Sequence, residues 1–467
     1  MLLFRWPVAA LLLTALWCAP ASGRGVDTLE SRVQSALAHY NARQYAAAQR
    51  ELEALERDVP RNFEVQELLG LVYSAQGQEA KATPRFEAAV RLQPDSGPAR
   101  NNLATNLARL GKASSAEKEF KRVVELEPAS YDANHNLGEF YVGKGDIAAA
   151  VPYLERAQQA DPASYDNGYN LALAYETTGR LGDASRQIRE LLKQKDTAEL
   201  HDLLGEVEEK SGNYVSAVNE YQAAAHMDPS ESNLFDWGGE LLLHQTWGPA
   251  IQVFSAGLKR YPNSARLAVG LGLAHYVQGS YDDAVKALMT ATDVNPADPQ
   301  AYYFLSKAYD QSPNQADEVI ERFRRFADLR PNDAQAEFYY AMSLWKGRRS
   351  DITPAHLDQV EALLKKCIAL DPSSGEAHLQ LANLYSQRKN YQEAEPEYQQ
   401  AVKLSPDLPD AHYRLGQAYA HLGKQDLAQK EFQIHQTLYE RHLAEIDQRR
   451  SEIKQFVYSM KGAPAGP

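Results

Sequence analysis

Leucine stands at positions 69, 103, 137 and 171, once every 34 residues. The ladder continues less regularly through Leu204, Trp237, Leu271, Leu305, Tyr340, Leu381 and Leu415. A fixed period of this length means one helix–turn–helix unit copied end to end, and such units bury their apolar faces on one another rather than in a central core. The period therefore limits the chain to an elongated helical array, and directs the search for function toward an extended surface.

Other columns keep step with the leucine. The residue after it is small: Gly70, Ala104, Gly138, Ala172, Gly205, Gly238, Gly272, Ser306, Ala341, Ala382 and Gly416. Alanine follows at 82, 116, 150, 184, 217, 250, 284, 394 and 428, and a large apolar residue at Phe86, Phe120, Leu154, Ile188, Tyr221, Phe254, Leu288, Tyr398 and Phe432. Small residues let two helices approach, and apolar residues three or four apart make one buried stripe per helix. Proline closes most units, at 60, 94, 128, 162, 229, 262, 296, 331, 372 and 406, and ends the second helix. Two residues later, or one after Pro229, stands a cap for the next helix: Asn62, Ser96, Ser130, Ser164, Ser230, Ser264, Asp333 or Ser374. Gly77, Gly111, Gly145, Gly179, Gly212, Gly279 and Gly423 fall between paired helices, where a left-handed turn is expected.

With Leu137-Gly138, Tyr141, Gly145, Ala150, Leu154, Ala157 and Pro162 as the clearest stretch, the chain closely resembles the tetratricopeptide repeat family. About twelve units run from residue 29 to about 440. The resemblance implies an all-α fold, a right-handed superhelical α-solenoid with a long C-terminal capping helix. It also implies that the first helix of each pair lines a concave side that holds peptides or extended protein segments.

Residues 1 to 23 differ: Arg5, an apolar run from Pro7 to Cys18, then Ala19-Pro20-Ala21-Ser22-Gly23. A short positive region, an apolar core and an Ala-x-Ala site read as a secretory signal, so a periplasmic or secreted chain is expected. An uncleaved anchor and lipidation at Cys18 are the alternatives; Trp17 is a poor residue before a lipidated cysteine. No other segment is apolar enough to span a bilayer. Cys18 would leave with the signal, and Cys367, in a column otherwise filled by alanine, is expected to be a small packing residue. The acidic balance, 49 Lys+Arg against 62 Asp+Glu, argues against a nucleic-acid surface.

The array breaks its own rule in places. Gln194-Lys195-Asp196-Thr197 lacks the closing proline, and Ser312-Pro313-Asn314 and Val319 disturb the ninth unit over 310–320. Pro331 to Pro372 spans 41 residues, and the seven extra are expected in a loop around 347–353. After Phe432 one polar helix is expected over 426–460 as the cap, then a flexible tail, 461–467.

Motifs for chemistry are missing. Gly270-Leu271-Gly272 lies in a helical repeat rather than after a strand, and no Walker loop, Cys-x-x-Cys or His-Glu-x-x-His is present. Neither cofactor nor metal is expected, and no reaction is implied. Binding candidates are better founded. Asn102, Asn136 and Asn170 occupy the column before the ladder leucine, where amide edges can grip a peptide backbone. They resemble the asparagine ladder in the tetratricopeptide superhelix of O-GlcNAc transferase. Asp132 and Asp166 stand where a carboxylate clamp would carry basic residues, so capture of a C-terminal carboxylate is not supported. Phe304 and Tyr339 fill the same column further along, with Tyr303, Phe338, Trp345 and Tyr276 nearby. Such a cluster reads either as a binding hot spot or as packing between units. The expected function is a non-enzymatic scaffold binding a protein or peptide. Part of an envelope or polysaccharide-export assembly, and an enzyme with a site hidden in the groove, are the alternatives.

Overall fold

The computed structural model describes residues 28–348 and 352–443. The expected signal segment, residues 349–351 of the expected loop, the part of the expected cap helix beyond 443 and the expected tail lie outside the described residues. Among those described there are 24 helices and no strand, alternating between a first helix of 13 or 14 residues and a second of 14 in most pairs. The molecule forms two compact units dividing between Asn213 and Tyr214. Unit one carries α1 (Leu29–Asn41), α2 (Tyr45–Asp58), α3 (Phe63–Ala75), α4 (Glu79–Leu92), α5 (Gly97–Arg109), α6 (Ala113–Leu126), α7 (Tyr131–Lys144), α8 (Ile147–Ala160), α9 (Tyr165–Thr177), α10 (Leu181–Gln194) and α11 (Ala198–Lys210). Unit two carries α12 (Tyr214–Met227), α13 (Glu231–Leu243), α14 (Trp247–Arg260), α15 (Ala265–Gln278), α16 (Tyr281–Val294), α17 (Pro299–Gln311), α18 (Ala316–Leu329), α19 (Ala334–Gly347), α20 (Pro354–Leu370), α21 (Gly375–Gln387), α22 (Tyr391–Leu404), α23 (Pro409–His421) and α24 (Gln425–Leu443).

The start signals act as the spacing predicts. Asn62, Ser96, Ser130, Ser164, Ser230, Ser264 and Ser374 each accept a backbone N–H from the first turn of the helix that follows. Thr197 caps α11, so the polar junction that lacks a proline still has its start signal. The seven expected glycines all sit at positive φ, from 70° to 87°. Where a unit has no glycine at that bend, Arg43, Gln245, Gln315 or Lys389 takes the left-handed conformation instead, at φ 58–61°.

In unit one, Leu69, Leu103, Leu137, Leu171 and Leu204 form a continuous strip with Phe86, Phe120, Leu154 and Ile188, all buried. The small column has a direct cause. A Cβ on Gly138 would stand 2.6 Å from Leu154, and one on Gly70 2.6 Å from the ring of Phe86. The ladder glycine and the large residue of the second helix therefore occupy adjoining space. Unit two repeats the contact at Gly272 with Leu288 and at Gly416 with Phe432. Gly238 and Gly270 both abut the Phe254 ring, so Gly270-Leu271-Gly272 serves helix packing. Tyr302 stacks on Phe326 with centroids 4.1 Å apart, in a core that also takes in Cys367. Burial pushes the Cys367 thiol up to about 12, which leaves it an un-ionised packing group.

The extra residues of the tenth unit do not all enter a loop. Helix α20 has 17 residues rather than 14, and Thr353 and His356 close a capping box at its start. Part of the insertion thus lengthens the helix, because a cap placed early lets the apolar pattern of Leu357, Val360 and Leu364 begin a turn sooner.

Candidate functional site

A cleft of about 880 Å³ opens in unit two, walled by the first helices α17, α19, α21 and α23, with Tyr391 and Tyr398 of α22 added. Each first helix presents one face. On α19 the lining residues are Gln335, Phe338, Tyr339, Met342, Trp345 and Lys346, at steps of three and four that keep them on one side of the helix. On α21 they are Glu376, Gln380, Asn383, Ser386 and Gln387; on α17, Tyr303, Ser306, Lys307 and Asp310; on α23, Asp410, Arg414, Gln417, Ala418 and His421.

Amides and hydroxyls are tied into the walls. The Trp345 indole N–H donates to Gln387 Oε1 at 3.1 Å, joining α19 to α21. The Tyr398 hydroxyl lies 2.8 Å from Asn383 Oδ1, and Asn383 Nδ2 donates to Gln380 Oε1 at 3.1 Å. Burial pushes the Tyr398 hydroxyl up to about 12 and raises that of Tyr339 as well, so both remain protonated hydrogen-bonding groups. His421 stacks flat on Tyr391, with centroids 4.2 Å apart. The two lining serines bond to the Tyr303 carbonyl and the Tyr398 hydroxyl rather than to a histidine.

The charges balance in sign. Lys346 pairs with Asp310, and Arg414 Nε lies 3.4 Å from Asp410. The Lys307 ammonium sits 5.4 Å above the Tyr303 ring. Glu376 is open to solvent at the cleft surface yet flanked by protein. That partial desolvation raises its pKa against the opposing pull of Lys307 and Lys346.

The candidates read from the sequence divide. Tyr303, Phe338, Tyr339 and Trp345 come together in the cleft. Tyr303 and Trp345 are half-buried, while Phe338 and Tyr339 are only 7 % and 8 % exposed and form its apolar base. Phe304 is buried against Tyr303, with centroids 5.1 Å apart in a T-shape, and does not line the cleft. Tyr276 packs against Tyr281 at 5.6 Å, also outside the lining. Asn102, Asn136 and Asn170 belong to unit one and are half-buried. Asn102 Nδ2 donates to Glu67 Oε1 at 2.5 Å and Asn170 Nδ2 to Glu139 Oε1 at 3.4 Å, each a bond to the preceding first helix. Lys307, Met342, Glu376, Asn383 and Gln417 are cleft residues that the single column before the leucine does not include. Stepping three or four residues along the same helical face from that column reaches them.

Among the described residues, no three His, Cys, Asp or Glu side chains gather into a metal-binding group, and no helix is long and apolar enough to cross a membrane.

Comparison with known proteins adds the family. Tetratricopeptide repeat models match residues 33–97 and 101–165, 141–207 and 241–308, and 363–395, and a TPR repeat model matches 382–423. No curated protein sequence matches the chain. Among solved structures, Naa15/Naa10 bound to HypK-THB aligns at 14 % identity and TM-score 0.39, over 92 % of this chain and 79 % of that one. PilW, a type IV pilus biogenesis factor, aligns at 23 % identity and TM-score 0.37, over 43 % of this chain and 93 % of its own. YrrB, a TPR protein with an unusual peptide-binding site, aligns at 16 % identity and TM-score 0.36, over 38 % and 93 %. Repeat models distributed along the chain, on helix pairs that bury the ladder leucines and turn through left-handed glycines, place this protein in the tetratricopeptide repeat family.

Proposed function

We propose that the chain is a non-enzymatic scaffold and that the cleft of unit two holds an extended segment of another protein. One observation carries the reading: four consecutive first helices turn the same face into one cleft, and that face combines aromatic rings with amides. Rings supply contact area at low conformational cost, and amides offer both donor and acceptor edges to a peptide backbone. A further element of the proposal is export, supported by the apolar run from Pro7 to Cys18 and the Ala19-Pro20-Ala21 that follows. N-terminal sequencing of the protein from a fractionated cell tests it; a chain that starts at Met1 in the cytoplasm overturns it.

The binding reading is tested by a photo-crosslinking residue at Gln387, which is exposed and lines the cleft. It should join covalently to a partner segment, and Trp345→Ala should lower the yield by about tenfold or more. A partner that crosslinks from Lys365, an exposed residue of the second helix α20, but not from Gln387 overturns the assignment.

A further inference from the structure

The cleft contains three cations, Lys307, Lys346 and Arg414, and three carboxylates, Asp310, Glu376 and Asp410. Two of each are engaged with one another, Lys346 with Asp310 and Arg414 with Asp410. Lys307 and Glu376 remain. Lys307 contacts the Tyr303 ring, and Glu376 receives no hydrogen bond among the described residues. The positive charge of Lys307 opposes the effect of burial on Glu376, and no ion pair joins the two. Among the described residues, one unmatched charge of each sign thus faces the same open cleft.

We propose that this cleft selects an extended segment carrying one basic and one acidic side chain on the same side of its backbone, the base meeting Glu376 and the acid meeting Lys307. The proposal rests on the reading of the cleft as a segment-binding surface. An extended strand turns residues i and i+2 to one side, roughly 6.6 Å apart, so two residues separated by one other can present both charges. A guest of a single sign would leave one wall charge unmatched and disturb the neutrality of the cleft, which is how charge placement rejects the wrong partner. Tyr339 lies near enough to Glu376 to feel its charge, so a cation bound there also lies beside an aromatic ring. Burial already disfavours the ionised form of Glu376, and an incoming cation offsets that.

The experiment is selection from a random displayed peptide library on the full chain, followed by affinity measurement with the enriched sequences as labelled synthetic peptides. The native chain should enrich peptides with Lys or Arg two positions from Asp or Glu. Glu376→Lys should shift enrichment to two acidic residues and Lys307→Glu to two basic ones, each binding the native chain's peptides about five- to tenfold more weakly. Both side chains are exposed, so the variants should melt with the native chain. Peptides that need Trp345 but carry no charge pair, or that bind both charge variants as they bind the native chain, overturn the inference and leave the scaffold reading standing. Peptides indifferent to Trp345→Ala, or no enrichment at all, overturn both. Gln380→Ala with Gln417→Ala replaces Trp345→Ala as the cleft variant if the latter lowers melting.

Discussion

The same face of the first helices is built from different chemistry in the two units. In three repeats of unit one the column before the ladder leucine is asparagine, and the amides of Asn102 and Asn170 turn to carboxylates on the preceding first helix, Glu67 and Glu139. In unit two the column holds Phe304 and Tyr339, and the positions around Tyr339 open into a cleft whose rings and charges face solvent. The backbone period is shared, yet in unit one these side chains bond to the preceding first helix, while in unit two the same face opens into a cleft. A repeated column therefore fixes where a side chain stands; its role depends on what the neighbouring helix offers it.

The comparison breaks most visibly at the shared spine. Leu137→Asp puts a carboxylate into the buried strip of unit one and should cost about 3–5 kcal/mol, read as a lower melting temperature by circular dichroism. Leu381→Asp should do the same in unit two, where that leucine is equally enclosed. Because each repeat leans only on its neighbours, the two variants should affect different parts of the melting curve. Unchanged melting in either would show that the ladder is not the spine.

A second prediction sharpens the contrast through pH. Glu67 is 2 % exposed, and burial raises its carboxyl from an ordinary 4.5 to about 7, against the opposing hydrogen bond from Asn102. Its Oε2 has no hydrogen-bond partner among the described residues. Between those two values the folded chain holds a proton that the unfolded chain has lost, so stability falls as pH rises through the window. Glu67→Gln retains an oxygen for Asn102 and cannot ionise. It should be the more stable protein by on the order of 2 kcal/mol at pH 8, with the advantage gone near pH 4. An advantage that persists at pH 4 would assign the gain to packing instead.

The smallest effect separates the asparagines from one another. Asn102→Ala removes the partner of a buried carboxylate and should cost about 1 kcal/mol. Asn136, whose side chain makes no hydrogen bond among the described residues, should tolerate alanine within about 0.5 kcal/mol. If Asn136→Ala instead weakens capture of a partner without changing melting, unit one also has a receiving face.

Legibility in the sequence followed the range of the signal. Caps at Ser130 or Ser164, bends at Gly145 or Gly179 and the buried Leu137 all rest on a few neighbouring residues repeated in phase, so local rules identify them. The cleft was only partly visible, because lining depends on the helices beside each residue. Phe304 and Tyr339 share a column, yet Phe304 packs inward while Tyr339 reaches the base of the cleft. Glu376 and Lys307 carry no motif, and only the pairing of their neighbours, Lys346 with Asp310 and Arg414 with Asp410, makes them conspicuous. The tenth unit shows a third case. Its extra length can be counted from Pro331 to Pro372, but the share taken by α20 depends on where Thr353 stops the preceding turn.

Four bends of the array are held by Arg43, Gln245, Gln315 and Lys389 in a backbone shape that suits glycine better. A side chain there carries a steric penalty of roughly 1 kcal/mol, partly offset in a glycine variant by the looser unfolded chain. None of the four lines the cleft. Glycine at these corners should therefore raise the melting temperature while leaving every residue of the cleft lining in place.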